Sequence, residues 1–168
     1  PTESGLTIQQ GELNIDEEFK WIKANKSTIV GVGEVGMDFK MDKEQHDQQK
    51  KNFAKIISYT EKLKMPIVIH SRKAEMACID LLETSSIKKV MLHCFSGKKA
   101  QIKRAIDLGY YFSIPAVCKK LQHFQMIVEM APLNQLLTET DSPWLTPLAE
   151  GFNEPAHVLE SIKVIARI

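Results

Sequence analysis

The feature of this sequence that most constrains its fold is a repeated alternation of short apolar runs with longer amphipathic stretches. Each apolar run is continuous rather than alternating, which is typical of parallel strands that are buried under helices on both faces. Strands that alternate with helices predict an α/β fold with a parallel sheet. The predicted strands cover residues 28–34, 67–70, 89–93, 110–114 and 136–140.

The stretches between the strands carry helix signals. Asn14, with Glu17 three residues later, predicts the start of the first helix. Gly109 is expected to follow the end of another helix, and Asn153 with Pro155 predicts the start of the last one. The other helices are predicted over residues 44–64, 75–83, 99–108 and 121–131. In the last helix four apolar residues are expected to face inward, namely Val158, Leu159, Ile162 and Ile165.

The alternation of strands and helices leaves two architectures open. The chain has 168 residues, with 43% hydrophobic and 26% charged residues, so we expect residues 1–168 to form a single globular domain. The two options are an open doubly wound sheet and a closed barrel. A (β/α)8 barrel needs eight strands in typically about 250 residues. Five predicted strands therefore favour the open sheet when only length is considered.

The charge balance and the cysteines narrow the class of protein. Lysine and arginine total 22 and aspartate and glutamate total 21, so no strong overall field draws the chain to nucleic acid or to a membrane. A polyanion would need a local site. No apolar run approaches 18 residues and no signal peptide pattern is visible, so we expect no membrane partner. Cys78, Cys94 and Cys118 form no CxxC pair, which favours a cytoplasmic location.

Ionisable residues follow four of the predicted strands. Glu34, His70 and His93 end three of them, and Asp141 follows another. Ligands of α/β proteins bind at the carboxyl ends of the strands, so these side chains are expected to converge there. Carboxylates and imidazoles together suit Zn²⁺, Mn²⁺ or Mg²⁺. Taken one at a time, each residue also fits a hydrogen-bonded loop histidine or a carboxylate that caps a turn.

Four segments resemble successive motifs of the TatD family of metal-dependent nucleases, in the order and at the spacing of that family. They are GVGEVGMDFK, MPIVIHSRKA, LHCFSGKKA and LLTETDSPWLTP, and GFNEPAHV near the end also fits. The resemblance covers essentially the whole chain. It implies a TIM-type barrel that binds two divalent ions at its top and cleaves DNA, often from the 3′ end. Some members of the family act on RNA or on aminoacyl-tRNA.

The resemblance also implies a set of metal ligands. Glu34 would bridge the two ions, His70 and His93 would hold one of them, and Asp141 would hold the other together with an HxH pair on the first strand. This sequence contains no HxH. Its remaining histidines are His46, His123 and His157. The five predicted strands fit the third to the seventh strand of the family.

We therefore expect a partial (β/α)8 TIM-type barrel of about five parallel strands with covering helices. It would lack the strand that carries HxH and the C-terminal strand. The edges exposed in this way predict self-association or a need for the missing segments.

The acidic residues of the site are predicted to have different roles in catalysis. Asp141 and Glu34 are the predicted catalytic residues, and Asp141 would orient the attacking water or accept its proton. Glu139 projects to the same side of its strand as Asp141 and is expected to support a metal ligand from behind, with an arginine pair as the alternative.

Three further residues are predicted to bind substrate. Arg72 follows His70 by two residues and suits a phosphate, and Ser96 with Lys98 opens a helix whose N-terminus attracts anions. The alternatives are a surface salt bridge for Arg72 and an ordinary solvated helix start for Ser96 and Lys98. Aromatic residues near strand ends are candidates for stacking on a base or for plain packing, namely Phe39, Tyr111 and Trp144.

The sequence thus predicts a metal-dependent hydrolase that cleaves phosphodiester bonds of DNA, with RNA as an alternative substrate. Without HxH, these 168 residues alone are expected to be weakly active or inactive. One alternative is a catalytically impaired module that binds a metal or a protein partner. Another is a hydrolase of a non-nucleotide ester or amide such as aminoacyl-tRNA.

Overall fold

A computed structural model describes residues 14–168, in which strands and helices alternate along the chain. The strands are β1 (Val32–Gly36), β2 (Ile67–His70), β3 (Val90–Leu92), β4 (Tyr111–Pro115) and β5 (Leu136–Glu139). The α-helices are α1 (Ile15–Ala24), α2 (His46–Leu63), α3 (Glu75–Glu83), α4 (Lys99–Asp107), α5 (Gln122–Met130) and α6 (Val158–Ile165). Short 3-10 helices cover Lys43–Gln45, Ala116–Lys119, Leu133–Gln135 and Pro155–His157.

The strands form one parallel sheet in the order β1-β2-β3-β4-β5. A doubly wound sheet reverses its strand order at a switch point, whereas a barrel adds each new strand beside the last. The open doubly wound sheet favoured by length is therefore wrong. The prediction of five parallel strands in barrel order is confirmed.

Strand β1 begins later than the sequence predicts. Residues 28–31 lie outside it, and the Val30 side chain is 91% exposed. The ladder begins where the Val32 N–H donates to the Pro66 carbonyl at 2.9 Å, just before β2 starts. The residues before Pro66 belong to the end of α2 and to the turn that follows it. Residues 28–31 therefore have no strand to pair with. Glu34 consequently lies in the middle of β1 rather than at its end.

The hydrophobic core lies between the sheet and its helices. The side chains of β2 and β3 that point to the helices are fully buried, whereas those on the other face are only partly buried. In β2 and β3 the expectation of burial on both faces therefore holds for one face, whereas in β4 the successive residues Phe112 and Ser113, which point to opposite faces, are both buried. The less buried face of β2 and β3 carries the ionisable residues.

Two helix-end signals are confirmed. The Asn14 side chain accepts the Glu17 N–H at 3.3 Å at the start of α1. Gly109 follows α4 with a φ of +76°, a conformation that glycine adopts without strain.

The predicted inward face of α6 is correct for Ile165, which packs against the core, and wrong for Leu159 and Ile162. Leu159 and Ile162 are 56% and 48% exposed, whereas Ser161 is buried and its hydroxyl donates to the Glu139 carbonyl at 3.3 Å. The helix thus packs on β5 through the side that carries Ser161. Apolar spacing alone does not show which side of a helix faces the sheet.

Candidate active site

The four predicted metal ligands come together on the face of the sheet that the helices leave uncovered. Glu34 Oε1 lies 2.8 Å from His70 Nδ1 and 3.5 Å from His93 Nε2. His93 Nε2 also lies 3.5 Å from Asp141 Oδ1. Parallel register produces this meeting, because β2 ends at His70 and the next residue after β3 is His93. Residues that are distant in sequence thereby form one cluster.

Glu139 holds the His93 ring in position through Nδ1, the ring nitrogen that does not face Glu34 and Asp141. The Glu139 carboxylate contacts Nδ1 of His93, and its Oε1 accepts the Cys94 N–H at 2.9 Å and the Ser113 hydroxyl at 2.6 Å. Burial lowers the pKa of His93, but the interactions with Asp141 and Glu139 outweigh this and raise it to about 10. Nδ1 is thus engaged by Glu139, and Nε2 is presented to the cluster.

His70 is held between two carboxylates. Its Nδ1 contacts Glu34, and its Nε2 lies 3.5 Å from Asp38 Oδ2. The hydrogen bond with Glu34 raises the pKa of His70, although burial opposes this. The same hydrogen bond lowers the pKa of Glu34, helped by the nearby His93. Glu34 is therefore kept ionised, as a metal ligand must be.

Asp38 is a site residue that the sequence reasoning missed. Its Oδ2 accepts the Arg72 Nε–H at 2.9 Å and also contacts a second guanidinium nitrogen of Arg72. Gln49 fixes the Asp38 backbone by accepting its N–H at 2.7 Å and donating to its carbonyl at 3.1 Å. The available signal was an acidic residue just after β1 that faces an arginine just after β2. The pair holds Arg72 at the rim with half of its side chain exposed.

A cleft of about 260 Å³ opens beside the cluster. Among the predicted substrate-binding residues, Arg72 and Ser96 line it, and the Ser96 hydroxyl donates to Glu75 Oε1 at 2.7 Å. Lys98 does not line it; this residue is exposed just before α4, where its N–H donates to Gln101 Oε1 at 2.5 Å. The complete lining is His70, Ser71, Arg72, His93, Cys94, Ser96, Leu121, Phe124, Asp141 and Leu145.

The three aromatic candidates for base stacking do not line this cleft. Phe39 instead stacks on His46 with ring centroids 4.2 Å apart, and Trp144 is 42% exposed elsewhere. Tyr111 is half-buried. Cys94 does line the cleft, but burial raises the pKa of its thiol, which disfavours the thiolate that a nucleophilic cysteine needs.

Asn153 is a second residue whose role the sequence reasoning missed. It is 4% exposed, and its Nδ2 donates to the carbonyls of Thr140, Trp144 and Leu145 at 2.6, 2.7 and 3.2 Å. These bonds fold the segment around Asp141, which itself has a φ of +62°. Asn153 thus fixes the backbone that presents the Asp141 carboxylate.

The cluster has the donor chemistry of a divalent cation site. Two ligands of one tetrahedral ion at about 2.1 Å from it lie roughly 3.4 Å apart, close to the two 3.5 Å separations around His93 Nε2. Within residues 14–168, no three such side chains already stand in a complete ligand arrangement. The side chains instead pair with one another, as in the short contact between His70 and Glu34. The donor set fits an ion that takes the place of these pairings.

Within residues 14–168, no helix has the length and apolar character needed to cross a bilayer.

A comparison with known proteins identifies the family of this chain. Residues 7–168 match the family described as TatD related DNase. An uncharacterized metal-dependent hydrolase of Methanocaldococcus jannaschii is 36% identical over 161 residues, covering 96% of this chain and 63% of that protein. The human deoxyribonuclease TATDN3 is 32% identical over 159 residues, covering 92% of this chain and 58% of that protein.

A solved structure shows the same fold. The crystal structure of a TatD homologue from Escherichia coli K12 matches with a TM-score of 0.84 at 21% identity, over 94% of this chain and 63% of that one. This chain thus spans less than two thirds of the length of each of these proteins.

Proposed function

Since this chain belongs to the TatD family, we propose that the protein is a metal-dependent hydrolase that cleaves phosphodiester bonds of DNA. One observation carries the proposal. The Glu34 carboxylate contacts imidazoles from two different strands, and Asp141 faces the second imidazole from the other side. Two carboxylates and two imidazoles that converge in this way supply the mixed oxygen and nitrogen donors that bind a divalent cation.

We propose that Glu34, His70, His93 and Asp141 hold the divalent metal. When bound, such a metal polarises the phosphoryl oxygen and lowers the pKa of a water molecule. Two ions, of Mg²⁺, Mn²⁺ or Zn²⁺, are the proposed complement, in agreement with the mixture of nitrogen and oxygen donors.

The chain's own residues supply orientation and proton transfer. The Oδ1 of Asp141 faces His93, so its other oxygen is free to orient the attacking water and accept its proton. Arg72, held by Asp38 at the cleft rim, places positive charge beside the phosphate. Water then attacks phosphorus in line with the departing oxygen, and the phosphorus–oxygen bond to that group breaks.

Three finer points belong to the same proposal. DNA is the proposed substrate, with RNA as the alternative.

β1 and β5 are the two edges of the described sheet, so we propose that the protein pairs these edges with further barrel segments or with another copy. The free thiols of Cys78, Cys94 and Cys118 are compatible with a cytoplasmic location.

Because these 168 residues alone are expected to be weakly active or inactive, a nuclease assay on the full-length protein, with any further barrel segments it has, tests this function. Cleavage of a labelled single-stranded oligodeoxynucleotide is measured after chelator treatment and again after Mn²⁺ is added back. We expect loss of activity and then recovery, and a decrease of at least about 100-fold in Glu34→Gln. The matched control is Glu129→Gln on the exposed side of α5, which should remain within about twofold because surface substitutions have small effects.

Two outcomes would contradict the proposal. Hydrolysis of aminoacyl esters without cleavage of DNA would support the non-nucleotide alternative. Metal binding without hydrolysis of either substrate would support the binding module.

A further inference from the structure

The cleft beside the ionisable cluster has two unlike walls. One wall is polar and includes Arg72 and Ser96. Arg72 and Ser96 follow β2 and β3, whereas the apolar lining residues Leu121, Phe124 and Leu145 follow β4 and β5 and form the other wall, beside Asp141. Leu121 is 44% exposed and Leu145 is 37% exposed. Large apolar side chains left in water beside a charged cluster are typical of a surface that a ligand covers.

The apolar wall is anchored on both sides. Leu121 immediately precedes α5, and its carbonyl accepts the Phe124 N–H at 3.1 Å. Leu145 lies in the segment that the Asn153 side chain fixes through the Leu145 carbonyl at 3.2 Å. The two segments are joined because Lys120 Nζ donates to the Leu148 carbonyl. The apolar wall thus consists of two loops that hydrogen bonds hold in place and that meet at the cleft.

We propose that this apolar wall receives the nucleobase of the nucleotide being cleaved, while its phosphate lies on the side of Arg72. The inference rests on the proposed function and extends it to the manner of base recognition. The chemistry of the two walls matches the two parts of a nucleotide, which are a flat weakly polar base and an anionic phosphate. Because Leu121, Phe124 and Leu145 offer no side-chain hydrogen bonds, contact alone holds the base, and all four bases are accepted similarly.

The size of the cleft fits one unpaired nucleotide. Its volume of about 260 Å³ lies just below the roughly 300–1,000 Å³ of pockets that enclose drug-sized ligands. A base reaches such a cleft only after it is unpaired from its partner and unstacked from its neighbours.

Two substitutions remove the wall with little risk to the fold. Leu121 occupies the N-cap position of α5, where serine is a preferred residue, so Leu121→Ser adds a helix cap. Leu145 has a φ of +52°, a conformation that asparagine tolerates better than leucine, so Leu145→Asn relieves rather than adds strain. The control is Leu133→Ser, an equally apolar and 73% exposed position outside the cleft lining.

The experiment compares two single strands that share one phosphodiester backbone. One is a short oligothymidylate, and the other carries tetrahydrofuran abasic units in place of every nucleoside. We expect the unmodified protein to cleave the oligothymidylate with the lower KM. In the variant with both Leu121→Ser and Leu145→Asn, KM for oligothymidylate should rise about tenfold, because the exposed parts of the two leucines together offer the base about the area of one buried leucine, which is worth about that factor. Its rate on the abasic strand should stay unchanged, and Leu133→Ser should alter neither.

The result that overturns the inference is an equal effect of the double variant on both strands, or no effect on either. Equal cleavage of the two strands by the unmodified protein also overturns it. Failure of the proposed function looks different, because the unmodified protein would then cleave neither strand, and the inference would fall with it.

Discussion

The Glu139 carboxylate on β5 reaches across β4 to contact Nδ1 of His93 at the end of β3. Ser113 on the intervening strand donates its hydroxyl to the same carboxylate at 2.6 Å. His93 therefore presents Nε2 to Glu34 and Asp141, and not to solvent. A carboxylate behind a ligating histidine is a common support of metal sites, because it fixes the ring and makes the other nitrogen more basic.

Glu139→Gln tests this support. The amide keeps the size of the side chain but removes the charge, so affinity for Mn²⁺ and kcat/KM should each fall about 10- to 100-fold. Isothermal titration calorimetry and the nuclease assay measure the two quantities. Ser113→Ala removes only one of the hydrogen bonds to the same carboxylate and should cause a smaller decrease. Unchanged Mn²⁺ affinity in Glu139→Gln would show that the carboxylate does not act through His93.

Arg72→Lys tests the role of the guanidinium at the rim. A lysine carries the charge but cannot contact Asp38 through two nitrogens and a phosphate at the same time. We expect KM to rise about tenfold with a smaller change in kcat. Arg104→Lys on α4 is the matched control, because Arg104 pairs with Asp80 and Glu83 away from the cleft. An equal effect of both substitutions would argue against a role in substrate binding.

Asn153→Ala should lower both stability and activity. The substitution leaves partly buried carbonyls that Asn153 now satisfies without this donor, and each fully buried unsatisfied group costs about 1–3 kcal/mol. We expect a loss of about 2–3 kcal/mol in the free energy of unfolding, measured in urea. The nuclease rate should fall as well, because the backbone that carries Asp141 is released. Full activity in Asn153→Ala would show that the Asp141 segment holds its shape without this residue.

Glu160 predicts a dependence of stability on pH. It lies 2.9 Å from Lys119 and 2.6 Å from Lys163, and hydrogen bonds from these lysines lower its pKa from 4.5 to about 2. A carboxylate with a lowered pKa in the folded state stabilises the protein above about pH 4.5 and loses that effect as the pH falls toward 2.

The comparison uses Glu160→Gln, with Glu150→Gln at an exposed position as the control. The Tm of Glu160→Gln should lie below that of the unmodified protein at neutral pH, and the difference should vanish as the pH approaches 2. A Tm difference that does not vary with pH would contradict the electrostatic explanation.

The sequence predicted the parts of the site that follow directly from strand order. Residues at the ends of neighbouring parallel strands share one edge, so His70 and His93 could be placed together without coordinates. The TatD resemblance seen in four motifs is confirmed by the family match over residues 7–168. It also led to the barrel, where length alone had favoured an open sheet.

The contacts that the sequence could not predict are made between loops. The pairing of Asp38 with Arg72 depends on how two loops leave their strands, and no periodicity encodes that direction. Asn153 acts on carbonyls up to 13 residues earlier in the chain. The exposed side of α6 was missed because an apolar stripe does not show what it packs against, as Leu159 demonstrates. Tertiary packing decides each of these features.

We expect Glu34, His70, His93 and Asp141 to surround a divalent cation. Crystals of the full chain soaked in Mn²⁺, with diffraction recorded near the manganese absorption edge, test whether the cation lies among these four side chains. An anomalous peak about 2.0–2.3 Å from Glu34 Oε1 and His93 Nε2 is the predicted result, and the peak should disappear in Glu34→Gln. No peak among these four side chains, at a Mn²⁺ concentration that saturates cleavage of DNA, would contradict the account.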